Sequence, residues 1–137
     1  MYYRIKSYTG DLYLSLNNND TSSGLIVNSK QNDDSQLWQG IAIIATNGEF
    51  RGIALVNNKT PKAIHSPKND GALTLIDVTP DMQRATWNVG GVAIQLRDNT
   101  DMNLNVAGNG PYQPGNPVLA YNWSEGKPNE KWTWVEA

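Results

Sequence analysis

The sequence predicts an all-β domain built from three similar units, and three observations carry the prediction. Apolar residues alternate in short runs, turn-forming clusters separate those runs, and a tryptophan recurs at intervals near one third of the chain. Nothing sustains a helical apolar period beyond about two turns, so helices are not expected.

Taken from the N-terminus, Tyr3-Arg4-Ile5-Lys6 alternates, and so does Leu12-Tyr13-Leu14-Ser15-Leu16. Leu73-Thr74-Leu75, Ile94-Gln95-Leu96 and Trp132-Thr133-Trp134-Val135 repeat the pattern further on. Between them lie Asn17-Asn18-Asn19-Asp20, Asn57-Asn58-Lys59-Thr60-Pro61, Pro67-Lys68-Asn69-Asp70-Gly71 and Gly108-Asn109-Gly110-Pro111. Short strands separated by such clusters every ~8–12 residues read as a sandwich or barrel. Seventeen of the 137 residues are Asn. Asn suits turns and left-handed positions, and its amide both donates and accepts, as recognition of hydroxyl-rich ligands requires.

Trp38, Trp87 and Trp132 close comparable segments, Gln36-Leu37-Trp38, Ala85-Thr86-Trp87 and Glu130-Lys131-Trp132, and stand 49 and 45 residues apart. About 25 residues before each lies a similar string: Tyr13-Leu14-Ser15-Leu16, Ala63-Ile64-His65-Ser66 and Asn103-Leu104-Asn105-Val106. Roughly ten residues earlier again stands an isoleucine in an alternating strand, at Ile5, Ile53 and Ile94. The tryptophans, these isoleucines, Leu14, Ile64 and Leu104 are expected in the core, because a large ring at a fixed repeat position gains most from burial. Each unit reads as four strands, with units at about 1–45, 46–90 and 91–137 of a single domain over 1–137. No unit of four strands can bury its own apolar face, and three together close a threefold barrel capped by hairpins, a β-trefoil.

Composition removes several function classes. The chain has no Cys and one His, so cysteine nucleophiles and sites with several cysteine or histidine ligands are excluded, and neither metal nor cofactor is expected. Eleven basic against thirteen acidic residues give a net charge of −2 with no basic cluster, so nucleic acid is not an expected partner. The longest nearly apolar stretch, Ile41 to Ala45, is far short of the ~20 residues that span a bilayer, so membrane insertion is not expected. The N-terminus carries no apolar run fit for a signal peptide, which predicts a cytoplasmic protein or one released without such a peptide. Sequons at Asn19, Asn58 and Asn122 are then expected to be unused. No Ser-His-Asp set, paired-carboxylate arrangement or phosphate loop is legible, and the acids lie mostly in turns, so catalysis is not expected.

The third unit, IQLRDNTDMNLNVAGNGPYQPGNPVLAYNWSEGKPNEKWTW, resembles the ricin-type or QxW lectin module. Repeats of that family run roughly as a G-x-C/A-L-D-V string, then G-x-x-V-x-x-W, then N-Q-x-W. The resemblance extends over the whole chain through its three repeats and is clearest in the third. Absence of cysteine makes it similar to the fungal and bacterial members. Gln36 and Trp38 keep the literal Gln-x-Trp, whereas Ala85 and Glu130 stand at the Gln position of the other units.

The resemblance implies a β-trefoil lectin that binds galactose- or N-acetylgalactosamine-type glycans and glycoconjugates without catalysis. It implies a carbohydrate site in the third repeat made of Asn105 at the carboxylate position, Tyr121 at the aromatic position, and Asn129 with Glu130 at the Asn-Gln pair. Trp123 lies two residues beyond Tyr121 and widens the stacking surface by the strand's period of two. A neutral Asn105 still makes a two-point contact with vicinal hydroxyls, and Glu130 supplies charge or braces Asn105. The first repeat carries a poorer set, Ser15, Asn28 and Gln36, with Ser35 beside Gln36 and no ring for stacking. The second carries His65, Ile76 and Arg84-Ala85, poorer still. Single-site affinity in the ~mM range would need several sites or a homodimer for avidity. Two rival readings use the same fold: a protease inhibitor acting through loops 17–24, 67–71 or 108–114, and an adaptor binding protein through an exposed Trp and Tyr patch.

Overall fold

Thirteen strands and two short 3-10 turns make up the computed structural model, which describes residues 1–17 and 23–137. The first unit holds β1 (Tyr3–Ser7), β2 (Tyr13–Leu16), β3 (Leu25–Asn28), a 3-10 turn at Asp34–Gln36, and β4 (Trp38–Ile44). The second holds β5 (Phe50–Asn57), β6 (Ala63–His65), β7 (Gly71–Ala72), β8 (Thr74–Ile76) and β9 (Trp87–Asn88). The third holds β10 (Gln95–Leu96), β11 (Met102–Val106), β12 (Val118–Asn122), a 3-10 turn at Pro128–Glu130, and β13 (Trp132–Glu136). Twelve of the strands are the expected four per unit. The thirteenth, β7, pairs outside its own unit, with Gly71 and Ala72 opposite Ala120 and Leu119 of β12. The sequon at Asn19 and most of the turn at 17–20 lie outside the described residues.

The strands form a β-trefoil. β1 runs antiparallel between β13 and β4, β4 pairs with β5, β5 with β9 and β9 with β10. The Trp132 amide donates to Val92 O at 2.8 Å and closes the ring. Hairpins β2–β3, β6–β8 and β11–β12 cover one end. Alternation turns Ile5, Leu14, Leu25, Val27, Ile64, Leu104 and Val118 inward, where they are buried around the axis.

The recurring tryptophans hold each unit together in the same way. Trp38 Nε1 donates to Leu14 O at 2.9 Å, Trp87 Nε1 to Ile64 O at 3.0 Å and Trp132 Nε1 to Leu104 O at 2.9 Å. All three rings are fully buried. A buried indole needs a partner for its N–H, and the second residue of each repeated string supplies it.

One core position differs from expectation. Lys6 stands opposite Tyr13, Val56 opposite Ala63 and Gln95 opposite Asn103, so the residues one step earlier, Ile5, Leu55 and Ile94, are equivalent. Leu55 is fully buried with Ile5 and Ile94, whereas Ile53 is half-buried and packs on the margin of the core. In the unbroken apolar run Ile53-Ala54-Leu55-Val56, alternation does not say which side chain faces in.

The three hairpins meet at Ser23. Its buried hydroxyl donates to Val118 O at 2.6 Å and accepts from the Leu73 amide at 3.1 Å, while Gly24 N donates to Leu73 O at 2.8 Å. One side chain thereby links all three units. Ser23→Ala leaves a buried carbonyl and a buried amide short of a partner and is expected to cost about 2–4 kcal/mol. The thermal midpoint should fall by roughly 10 °C in calorimetry, and an unchanged midpoint would remove this role.

Candidate functional site

Strand register identifies equivalent positions in the three units. Tyr13 faces Asn28, Ala63 faces Ile76 and Asn103 faces Tyr121. Ser15, His65 and Asn105 are therefore equivalent, as are Asn28, Ile76 and Tyr121. The three units make different things of this shared geometry.

In the third unit Asn105, Tyr121, Trp123, Asn129 and Glu130 all line one open cleft of about 830 Å³. Tyr121 is 48% and Trp123 43% exposed, so two rings stand at the surface of the cleft. Asn105 is only 5% exposed. Its Nδ2 donates to Asn103 O and Tyr121 O, both at 3.1 Å, which engages both amide hydrogens and fixes which way the carboxamide faces. Oδ1 of Asn105 has no partner among the described residues and is not sealed from solvent. Asn105 thus offers a ligand its amide oxygen, with two lone pairs, and no free amide hydrogen. Asn129 Nδ2 donates to Val106 O at 3.0 Å, which leaves its Oδ1 and one amide hydrogen for a ligand.

Glu130 is 2% exposed, and its carboxylate accepts from the backbone amides of Ser124 and, at 2.8 Å, Lys127. It braces the loop after β12, not Asn105. Within that loop Glu125 (φ 66°) and Gly126 (φ 69°) are both left-handed. A Cβ on Gly126 would lie 3.0 Å from Trp123 Cζ2, so the indole packs directly over a left-handed position where a side chain would crowd it. Glu130 holds the loop, and the loop seats Trp123.

Gln36 has the equivalent task with different partners. Its Oε1 accepts from Gln31 N at 2.8 Å, and its Nε2 donates to Ser29 O at 2.7 Å and Ser15 Oγ at 3.0 Å. Ser15 Oγ donates in turn to Tyr13 O at 3.0 Å. Ser15 and Gln36 are buried and bonded to each other, and Asn28 Oδ1 accepts from Ser29 N. Ser15 and Gln36 are therefore a closed polar pair beneath the surface, while Asn28, half-buried beside them, bonds neither.

The second unit fills the same place with apolar groups. Ile76 packs on a satellite cluster that includes Ala63, Met82 and Ala85. His65 Nδ1 bonds Thr74 Oγ1 at 2.9 Å, and burial, then the Arg84 charge, lowers its pKa. Arg84 Nε donates to Ser66 O at 2.6 Å, the counterpart of the bond from Asn129 to Val106 O.

Sequence reasoning did not find the far wall of the cleft. Tyr112 donates its phenol to Gly108 O at 2.8 Å and lies 3.3 Å from where a Cβ on Gly110 would sit, at φ +87°. Lys127 and Asn122 also line the opening. The Gly-Asn-Gly-Pro-Tyr turn was the available signal, read as a turn and as a loop of the rival protein-binding reading, not as part of the sugar site.

Counting donors gives a sharp expectation for Glu130. Both of its oxygens face N–H donors, so Glu130→Gln sets an amide NH2 against one of them. The substitution, which creates the glutamine found at position 36 of the first unit, should destabilise the protein by about 1–3 kcal/mol. Faster hydrogen exchange at Ser124 and Lys127 should accompany it, and unchanged exchange at both would contradict the brace.

No protein-family model matches the chain, and no curated protein matches its sequence. Solved structures match it along its whole length. A designed threefold-symmetric protein, ThreeFoil, is 21% identical with a TM-score of 0.74, and 99% of each chain is covered. The C-half of an earthworm R-type lectin, solved with GalNAc, is 17% identical with a TM-score of 0.73, covering 99% of this chain and 98% of that one. A ricin B-like lectin of Macrolepiota procera, solved with lactose, is 18% identical with a TM-score of 0.75, covering 100% of this chain and 96% of that one. Together with the three units and their tryptophans, these likenesses establish that the chain has the β-trefoil fold found in ricin-type lectins.

Proposed function

We propose that the chain is a carbohydrate-binding lectin whose third-unit cleft takes galactose- or N-acetylgalactosamine-type glycan termini. The observation that carries this reading is the pairing of two exposed rings, Tyr121 and Trp123, with the unpartnered amide oxygens of Asn105 and Asn129 in one cleft. The weakly apolar C–H face of a pyranose lies on a ring, where contact adds to area burial. Its hydroxyls donate to the two amide oxygens, and the remaining Asn129 N–H donates back. The earthworm and Macrolepiota lectins, solved with GalNAc and lactose, lend support to the ligand class.

Glu130 is the one carboxylate lining the cleft among the described residues, and both its oxygens accept from backbone amides. A glycosidase needs two carboxyl groups across the scissile bond, one of them free to move a proton. This favours a binding module over an enzyme. One such cleft gives an affinity near the ~mM range, so a multivalent glycan surface or a homodimer would supply useful avidity.

Tyr121→Ala tests the reading. The backbone carbonyl that accepts from Asn105 remains, and the lost ring is half-exposed, so the fold should be retained. Affinity for lactose, read by titration calorimetry or retention on immobilised lactose, should fall by about tenfold or more. Binding undiminished in a folded variant would overturn the assignment of the cleft.

A further inference from the structure

We propose that Asn109 is a self-modification site, converting spontaneously to aspartate and isoaspartate in the wall of the cleft. The chain has two Asn-Gly pairs, Asn47-Gly48 and Asn109-Gly110. Chemically they are the same, and the structure treats them differently.

In the first pair Gly48 N donates to Ala45 O at 2.8 Å, and Asn47 Oδ1 accepts from Glu49 N at 2.9 Å. The nucleophile and the electrophile are both held in the β4–β5 turn. In the second pair neither the Asn109 carboxamide nor the Gly110 N–H has a partner among the described residues, and both residues are exposed. Gly110 has φ +87°, and without a Cβ it leaves room for the preceding side chain to fold back on its nitrogen.

The reaction needs only water. The Gly110 nitrogen gives up its proton and attacks Asn109 Cγ; the N–Cγ bond forms, the Cγ–Nδ2 bond breaks, and ammonia leaves with that proton. Water opens the resulting succinimide at either carbonyl, giving aspartate or isoaspartate with the elements of Asn plus water minus ammonia. One neutral amide becomes one carboxylate. Asn109 lines the same cleft as Asn105, Tyr121 and Lys127, so ageing of the protein writes a negative charge into that surface whatever the cleft binds.

The experiment incubates the whole folded protein at mildly alkaline pH and follows both pairs by peptide mapping and isoaspartate labelling. Each hydrogen bond that must open slows the reaction by about tenfold, so Asn109 should convert roughly ten- to a hundredfold faster than Asn47. In urea, where both pairs are unprotected, the two rates should converge. Asn109→Gln should abolish the acidic species that accumulates on isoelectric focusing. Equal or reversed rates in the folded protein would overturn the proposal, as would an acidic species that persists undiminished in the variant.

Discussion

The fold depends on one hydrogen bond made three times: a buried indole N–H to the carbonyl of the second residue in each repeated string. The bond fixes the fourth strand of a unit, or its start, against the first strand of that unit's hairpin. Without it a large ring would bury an unpaired donor, and the barrel and cap would lose their common register. It also decides where the surface chemistry sits. The residue after the accepting carbonyl is Ser15, His65 or Asn105, and the residue two before the tryptophan is Gln36, Ala85 or Glu130. The core bond therefore brings those two positions to the same place in every unit.

What happens at that place follows from counting donors, acceptors and apolar volume. Gln36 meets two acceptors and one donor, and an amide with both kinds of group satisfies them. Glu130 meets two donors, and a carboxylate is the matching side chain. Ala85 meets Met82 and Ala63 and needs no polarity. A closed polar network, an apolar cluster and an open cleft thus arise on one scaffold. In the third unit two rings stay exposed beside amide oxygens that have no partner among the described residues.

Much of this was legible in the sequence, because the threefold recurrence of tryptophan and of the four-residue strings is a pattern of side chains alone. The equivalence of Asn28, Ile76 and Tyr121 was implied by the family resemblance, and strand register sets the three opposite equivalent residues. The gathering of Asn105, Tyr121, Trp123, Asn129 and Glu130 around one cleft was also anticipated. Features that depend on backbone groups were not legible. Which hydrogens of Asn105 are engaged depends on where two carbonyls point, and the task of Glu130 depends on two amides in a left-handed turn. The expectation fell on Ile53, while Leu55 is the buried equivalent, because four consecutive apolar residues carry no phase. The extra strand β7 and the hub at Ser23 arise from contacts between units, to which repeat comparison within one chain is blind.

The five tryptophans supply their own reporters for the central claim. In a 15N-correlated NMR spectrum each indole N–H gives a separate signal, three of them from rings buried in the core and one from Trp123 on the cleft. Titration with lactose should shift the Trp123 signal progressively while those of Trp38, Trp87 and Trp132 stay in place. A spectrum in which Trp123 never moves, or in which the buried signals move instead, would contradict a sugar site built on the third unit.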